Sequence, residues 1–273
     1  MYLVTGCNGQ LGTELRRLIP DALFVDKDEL DITDADAVKS YVAAHDVDTI
    51  INCAAYTAVD RAESEPELAE KINAVGPENL AKTGAKIVHI STDYVFDGTH
   101  HTPYTPDDET CPVSVYGRTK RMGEIAVLEN APVAVVIRTA WLYSAHGNNF
   151  VKTMRRLGAE KESIGVVCDQ IGSPTWAADL AAAIVQIIPQ MNEGNRGIYH
   201  YTNSGVCSWY DFATAIMDLS GLSCDVRPIS TAQYPTPAAR PAYSVLDKTK
   251  IQETFNITIP HWFRSLKTCL SQF

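Results

Sequence analysis

The residues in this chain best suited to proton transfer are a tyrosine and a lysine one helical turn apart, in Tyr116-Gly117-Arg118-Thr119-Lys120. On a helix their side chains share one face. A free phenol titrates near about 10 and is a poor acid at neutral pH. A cation held beside it favours the phenolate, lowers that value and makes the proton transferable. The same spacing is common on solvated helix faces, so the pair needs partners. One precedes it: the run Ile87-Val88-His89-Ile90-Ser91 delivers Thr92-Asp93 at a strand's C-terminal end. Ligands of open α/β sheets bind outside that edge, where a hydroxyl can donate to a carbonyl oxygen gaining charge.

The elements that must carry these groups begin at the first residues. Tyr2-Leu3-Val4 reads as a strand, Thr5 to Gly12 as a glycine-rich turn, and Glu14, Leu15, Leu18 and Ile19 as a helix ending at Pro20. That succession is the context a dinucleotide site requires. The glycines let the backbone approach a pyrophosphate at the positive end of the helix, so Gly6, Asn8, Gly9, Gln10 and Leu11 are cofactor candidates. The next apolar run, Ala22 to Val25, ends at Asp26, a carboxylate placed for the ribose hydroxyls of the adenosine half. Asp31 and Ile32 are set to border the adenine, and Thr33 to cap the helix through Val38, Tyr41 and Val42. Val47 to Asn52 reads as a buried strand. It leads into Ala54, Ala55 and Tyr56, where small residues let a cofactor lie close to the backbone. A helix is expected from Glu63 to Asn73. Only a turn or two then remains between Asn79 and the strand at Lys86, which is short for a parallel crossover.

Val133 to Arg138 forms the next strand, and Trp141 just beyond its end suits a wall of a substrate site. Asn149 opens a basic helix, an irregular stretch follows Val166, and Ala178 to Ile188 is an apolar helix. Strands alternating with helices, then a mixed tail, predict an α/β protein: a Rossmann-type doubly wound parallel sheet with a smaller C-terminal α/β substrate-binding domain. The expected boundaries are 1–145 with 176–202 returning to the first domain, and 146–175 with 203–273 in the second.

Composition narrows the classes. Apolar residues make up 45% of the chain and charged residues 21%, an ordinary globular profile. A net charge of −10 argues against nucleic acid, which rewards clustered Lys and Arg. No apolar run approaches the roughly 20 residues a membrane span needs. The start lacks the marks of a secretory signal. Seven scattered cysteines, with no Cys-x-x-Cys pair, read as reduced thiols of a cytoplasmic protein.

Thr5-Gly-x-x-Gly-x-x-Gly12 with Tyr116-x-x-x-Lys120 resembles the extended short-chain dehydrogenase/reductase superfamily. Within it, six ordered blocks resemble the dTDP-4-dehydrorhamnose reductase family: Gly9 to Gly12, Ala54 to Asp60, Ser91 to Gly98, Gly147 to Phe150, Asp169 to Thr175, and Arg240 to Asp247. The resemblance implies reduction of a 4-keto sugar, dTDP-6-deoxy-L-lyxo-4-hexulose, to dTDP-L-rhamnose with NADPH or NADH, in the supply of cell-surface polysaccharide. Tyr116 would then be the general acid. Lys120 would lower its pKa and hold the nicotinamide ribose, and Thr92 would orient the C4 carbonyl. Asp93, Trp141, Asn149 and Arg240 would contact the sugar nucleotide, with Arg240 matched to the diphosphate. Asp26 favours a free 2′-hydroxyl, while Lys27 beside it softens the repulsion of a 2′-phosphate, so use of both cofactors is expected. Some members of the family form a homodimer bridged by Mg²⁺ through glutamates, and Glu14 matches one such position. Two alternatives remain. One is a related sugar-nucleotide reductase or epimerase; the other is a non-catalytic subunit resembling the methionine adenosyltransferase β subunit.

Overall fold

A computed structural model describes the chain over residues 1–273. Its first part runs β1 (Tyr2–Thr5), α1 (Gln10–Leu18), β2 (Leu23–Val25), α2 (Ala35–Ala44), β3 (Thr49–Asn52), α3 (Val59–Ala62), α4 (Pro66–Glu70) and α5 (Gly76–Ala81). Next come β4 (Lys86–Thr92), α6 (Val115–Asn130), β5 (Ala134–Thr139), β6 (Leu142–Tyr143), α7 (Phe150–Glu160), β7 (Ser163–Val167), β8 (Ile171–Gly172) and β9 (Thr175–Trp176). The remainder is α8 (Ala177–Ile187), β10 (Gly197–His200), β11 (Cys207–Ser208), α9 (Trp209–Ser220), β12 (Asp225–Ile229), α10 (Thr249–Phe255) and α11 (Trp262–Leu270).

Alternation with a period of two gives each sheet strand two apolar faces. Leu3, Ile50, Ile87 and Val136 pack with Val38 and Val42 of α2, Leu80 of α5 and Val127 of α6. Their neighbours Val4, Ile51, Val88 and Val135 pack on the opposite side with Leu15 of α1, Leu180 and Ile184 of α8, and Phe255 of α10. The strands they belong to form one parallel sheet in the order β10-β5-β4-β3-β1-β2. Helices on both faces make it doubly wound, as the sequence predicts. β1 lies between β2 and β3, so the chain reverses direction across the sheet there, the place where such folds open a ligand crevice. A third apolar cluster joins Val151 and Met154 of α7, Ile164 of β7, Phe212 and Ile216 of α9, and Trp262 of α11. The stretch read as irregular is thus partly strand, β7 pairing in parallel with β12.

Two local expectations fail. The crossover before β4 is not cut at Asn73. The helix continues through a π-helical stretch, Lys71–Val75, into α5, and Gly76 donates its N–H to the Lys71 carbonyl. That slip in register places Pro77 at the start of α5, where its missing N–H is least costly. Thr33 does not cap α2 either. Asp34 does, accepting from the Ala37 N–H at 3.0 Å, while Thr33 donates its hydroxyl to Asp31. No helix is long and apolar enough to cross a membrane.

Candidate active site

Helix α6 carries Tyr116 and Lys120, and its first turn is held by Ser114, whose hydroxyl oxygen accepts from the Gly117 N–H at 3.1 Å. A Cβ at Gly117 would stand 2.1 Å from the Tyr94 carbonyl oxygen. Only a glycine lets the helix close on the turn that follows β4, and this closure brings Tyr116 to Thr92. The Tyr116 ring meets Tyr94 edge-on, with centroids 5.5 Å apart, and its phenol lies near enough to the Thr92 hydroxyl to feel it. Thr92 also donates to Asp93 Oδ1 at 3.0 Å and accepts from the Tyr94 N–H at 3.2 Å. Lys120 is buried and donates to the Ile90 carbonyl at 2.6 Å.

Burial dominates the electrostatics. It pushes the Tyr116 phenol up to about 12; the nearby Thr92 hydroxyl works against this and the Asp93 charge with it. The expected lowering of Tyr116 by Lys120 is not met in this structure, where the ammonium is committed to Ile90. Burial lowers Lys120 itself to about 8, opposed by Glu124 and Cys53. Asp93 is raised by burial to about 6, against the opposing influence of nearby Ser244 and Thr92, and its Oδ2 is buried without a partner.

Beyond these groups opens a cleft of about 910 Å³. Its floor is fixed where β1 and β3 end. Asn52 Oδ1 accepts from the Thr5 hydroxyl at 2.7 Å and from the Ala54 N–H at 3.1 Å. Gly6 has φ +64°, and a Cβ there would lie 2.6 Å from the Ala54 nitrogen, so the glycine turn touches the backbone it faces. Gly9 caps α1 without a side-chain acceptor, leaving first-turn N–H groups for an anion. These features fit a dinucleotide. The wall includes the expected Gly6, Gly9, Gln10 and Leu11; Asp26, Asp31 and Ile32; Ala54 and Ala55; and Thr92, Asp93, Tyr116, Lys120 and Trp141.

Four expected residues are engaged elsewhere. Asn8 is exposed outside the wall, and its backbone N–H donates to Asp26 Oδ2 at 3.0 Å. Tyr56 turns its hydroxyl to Glu65 at 2.6 Å, and Thr57 lines the cleft instead. Asn149 caps α7 through Oδ1, while its amide donates to Gln10 Oε1 at 2.9 Å and to the Ser144 carbonyl at 2.8 Å. Its neighbour Asn148 takes the place in the wall. Arg240 stands outside the wall and is paired with Asp60. Trp209, which sequence reasoning missed, stacks on Trp141 with centroids 3.6 Å apart. Trp141 has φ +50°, a strained conformation for an aromatic residue, so the tryptophan pair is held at a conformational cost. The signal for Trp209 was its position just after Ser208, whose capping box with Asp211 starts α9 at the cleft.

Glu14 lies on α1. Its buried carboxylate faces Arg17 at 3.6 Å and His146 at 3.9 Å, and nowhere are three His, Cys, Asp or Glu side chains grouped to hold an ion.

The family model described as the RmlD substrate binding domain matches residues 1–273. The chain is 44% identical to the dTDP-4-dehydrorhamnose reductase of Aggregatibacter actinomycetemcomitans, over 97% of this chain and 96% of that one. It is also 44% identical to a probable dTDP-4,6-dihydroxy-2-methyloxan-3-one 4-ketoreductase of Streptomyces antibioticus, over 97% and 93%. A crystal structure of the Bacillus anthracis dTDP-4-dehydrorhamnose reductase in complex with NADP superposes with a TM-score of 0.95 at 41% identity, covering 100% of this chain and 99% of that one.

Proposed function

The chain belongs to the RmlD substrate binding domain family, and on that premise we propose that it reduces the C4 ketone of dTDP-4-dehydrorhamnose with NADPH or NADH. The product would be dTDP-L-rhamnose for cell-surface polysaccharide. The observation that carries this reading is the meeting of Tyr116, Thr92 and Lys120 in the cleft that the glycine turn floors.

When bound, the nicotinamide supplies a hydride to C4. The chain supplies the proton and the geometry. Gly6, Gly9, Gln10 and Leu11 would hold the pyrophosphate, Asp26 the adenosine ribose, and Asp31 and Ile32 the adenine. Tyr116, kept neutral by burial, gives its proton to the C4 oxygen as negative charge develops there. Thr92 orients that oxygen, and Lys120, anchored at the Ile90 carbonyl, would hold the nicotinamide ribose. Trp141, Trp209 and Asp93 form the sugar's surroundings. Residues 146–175 and 203–273 serve as the substrate-binding part, and 1–145 with 176–202 as the dinucleotide-binding part. Lys27 lies beside Asp26 in the wall, which supports use of both cofactors. Seven free thiols fit a reducing compartment such as the cytoplasm.

Oxidation of NADPH by the 4-keto sugar nucleotide, generated in situ, with dTDP-L-rhamnose as product tests the reading. Cofactor binding without oxidation overturns it. The Streptomyces relative favours a second reading, reduction of another dTDP-linked 4-ketosugar; turnover of such a sugar in preference to the first selects it.

The Lys120 charge sets a pH limit. A lysine lowered to about 8 is an ammonium below that value and neutral above it. The value of kcat/KM for the cofactor, which reports the free enzyme, is expected to fall as pH rises through about 8. A profile still level a full unit higher removes Lys120 from the role.

A further inference from the structure

We propose that Asp60 is a positioning residue for the diphosphate of the nucleotide-linked substrate, acting through Arg240; the inference rests on the function proposed above. The two residues come from opposite ends of the chain and meet in a bidentate pair, Nη1 to Oδ1 at 2.7 Å and Nη2 to Oδ2 at 2.7 Å. Nη1 also donates to the Ala238 carbonyl at 2.8 Å, and the Ala238 N–H donates to Asp60 Oδ1 at 3.1 Å. One carboxylate therefore fixes both the guanidinium and the backbone that carries it. The Arg240 hydrogen bond holds the Asp60 carboxyl below the usual carboxylate range, so it stays charged at neutral pH.

The donor inventory gives this arrangement its meaning. A guanidinium has five N–H groups in a planar fork. Both Nη1 hydrogens and one on Nη2 are used by Asp60 and Ala238. The Nε hydrogen and the second Nη2 hydrogen remain, side by side on the other edge of the fork. That edge matches two oxygens of a phosphate. Asp60 occupies one bidentate edge and thereby leaves the second one oriented.

The location suits a diphosphate. Val59, adjacent to Asp60, lines the cleft, and so does Tyr94, which acts electrostatically on Arg240. Four residues beyond Arg240, Ser244 lies close enough to Asp93, beside the reacting groups, to act on its carboxyl. The pair thus stands at the margin of the cleft, outside its wall, where a substrate extends away from the reacting carbon. In a chain of net charge −10, a fixed cation is needed to receive a further dianion.

The test is Asp60→Asn, Arg240→Lys and the double variant, with dTDP binding measured by calorimetry and turnover by NADPH oxidation. In Asp60→Asn, the dTDP dissociation constant and the sugar-nucleotide KM are expected to rise about tenfold, as for a misaligned charge-assisted contact. The kcat and NADPH affinity should hold within about twofold, a split that a general loss of folding does not produce. Arg240→Lys keeps the charge but not the second edge, so it should weaken dTDP similarly. The double variant should then be no worse than Arg240→Lys alone. Tighter dTDP binding in Asp60→Asn would mean that Asp60 competes with the ligand, and overturns the proposal. So does unchanged binding, or additive losses in the double variant. A wild-type protein that binds no dTDP overturns the proposed function and this inference together.

Discussion

Tyr116→Phe is expected to lower kcat by about 10²- to 10⁴-fold, the range removed with a positioned general acid. NADPH and dTDP should still bind within about twofold of the wild type. The ring's packing survives the change: its edge-on contact with Tyr94 and its place against Ala62, Ala69 and Val115 involve no hydroxyl. What is lost is the one proton that burial keeps on the phenol up to about 12. This high value suits reduction, in which the group must arrive protonated. The rival donor is Asp93, which carries its proton only below about 6. A Tyr116→Phe enzyme that remains active under acidic conditions and loses activity as pH rises through that value would transfer the donor role to Asp93. Activity within tenfold of wild type at all pH values would remove Tyr116 from the chemistry altogether.

The groups legible in the sequence are those whose meaning is local. The glycine turn is read from the strand before it and the helix after it, and Tyr116 and Lys120 from helical spacing supported by the other motifs around them. Thr92 follows from the end of an apolar run. The sequence is silent where a side chain's partner lies elsewhere along the chain. Asn149 has the composition of a ligand contact, yet its amide is taken by Gln10, 139 residues away. Arg240 lies 180 residues from Asp60, and no periodicity joins them. Tyr56 lies beside two small residues that do line the cleft, but a short carboxylate contact with Glu65 turns it away. The helix break expected near Asn73 failed for another reason: Gly76-Pro77 reads as punctuation in a regular α-helix, and a π-helical slip absorbs it. The phenol's pKa was misjudged because a lysine one turn away was taken to face it, whereas the fold directs the ammonium to a backbone carbonyl.

Arg138→Met is expected to cost roughly 3–5 kcal/mol, the penalty for leaving a buried charge without its partner. Arg138 and Glu124 are 1% and 0% exposed and form two hydrogen bonds at 2.8 Å. Ser91 donates to the same carboxylate at 2.6 Å, and Arg121 reaches it at 3.1 Å from the helix edge. Those two contacts remain in the variant and do not replace a buried guanidinium. Urea denaturation measures the loss directly, and the melting temperature should fall by about 10 °C. Glu124→Leu combined with Arg138→Met removes both charges and should recover much of the deficit, since such pairs are often replaceable by apolar residues at little cost. A single variant losing less than about 1 kcal/mol would mean that water or Arg121 solvates Glu124 adequately. The pair also bears on the chemistry. Glu124 lies one turn beyond Lys120 and raises its pKa, while Arg138 neutralises Glu124 from the sheet side. Without Arg138 the full carboxylate charge acts on Lys120. The alkaline limb of the activity profile should then move above about 8 in whatever fraction of the variant remains folded. Loss of stability alone cannot shift that limb, so the two measurements separate the structural function of the ion pair from its electrostatic effect on the lysine.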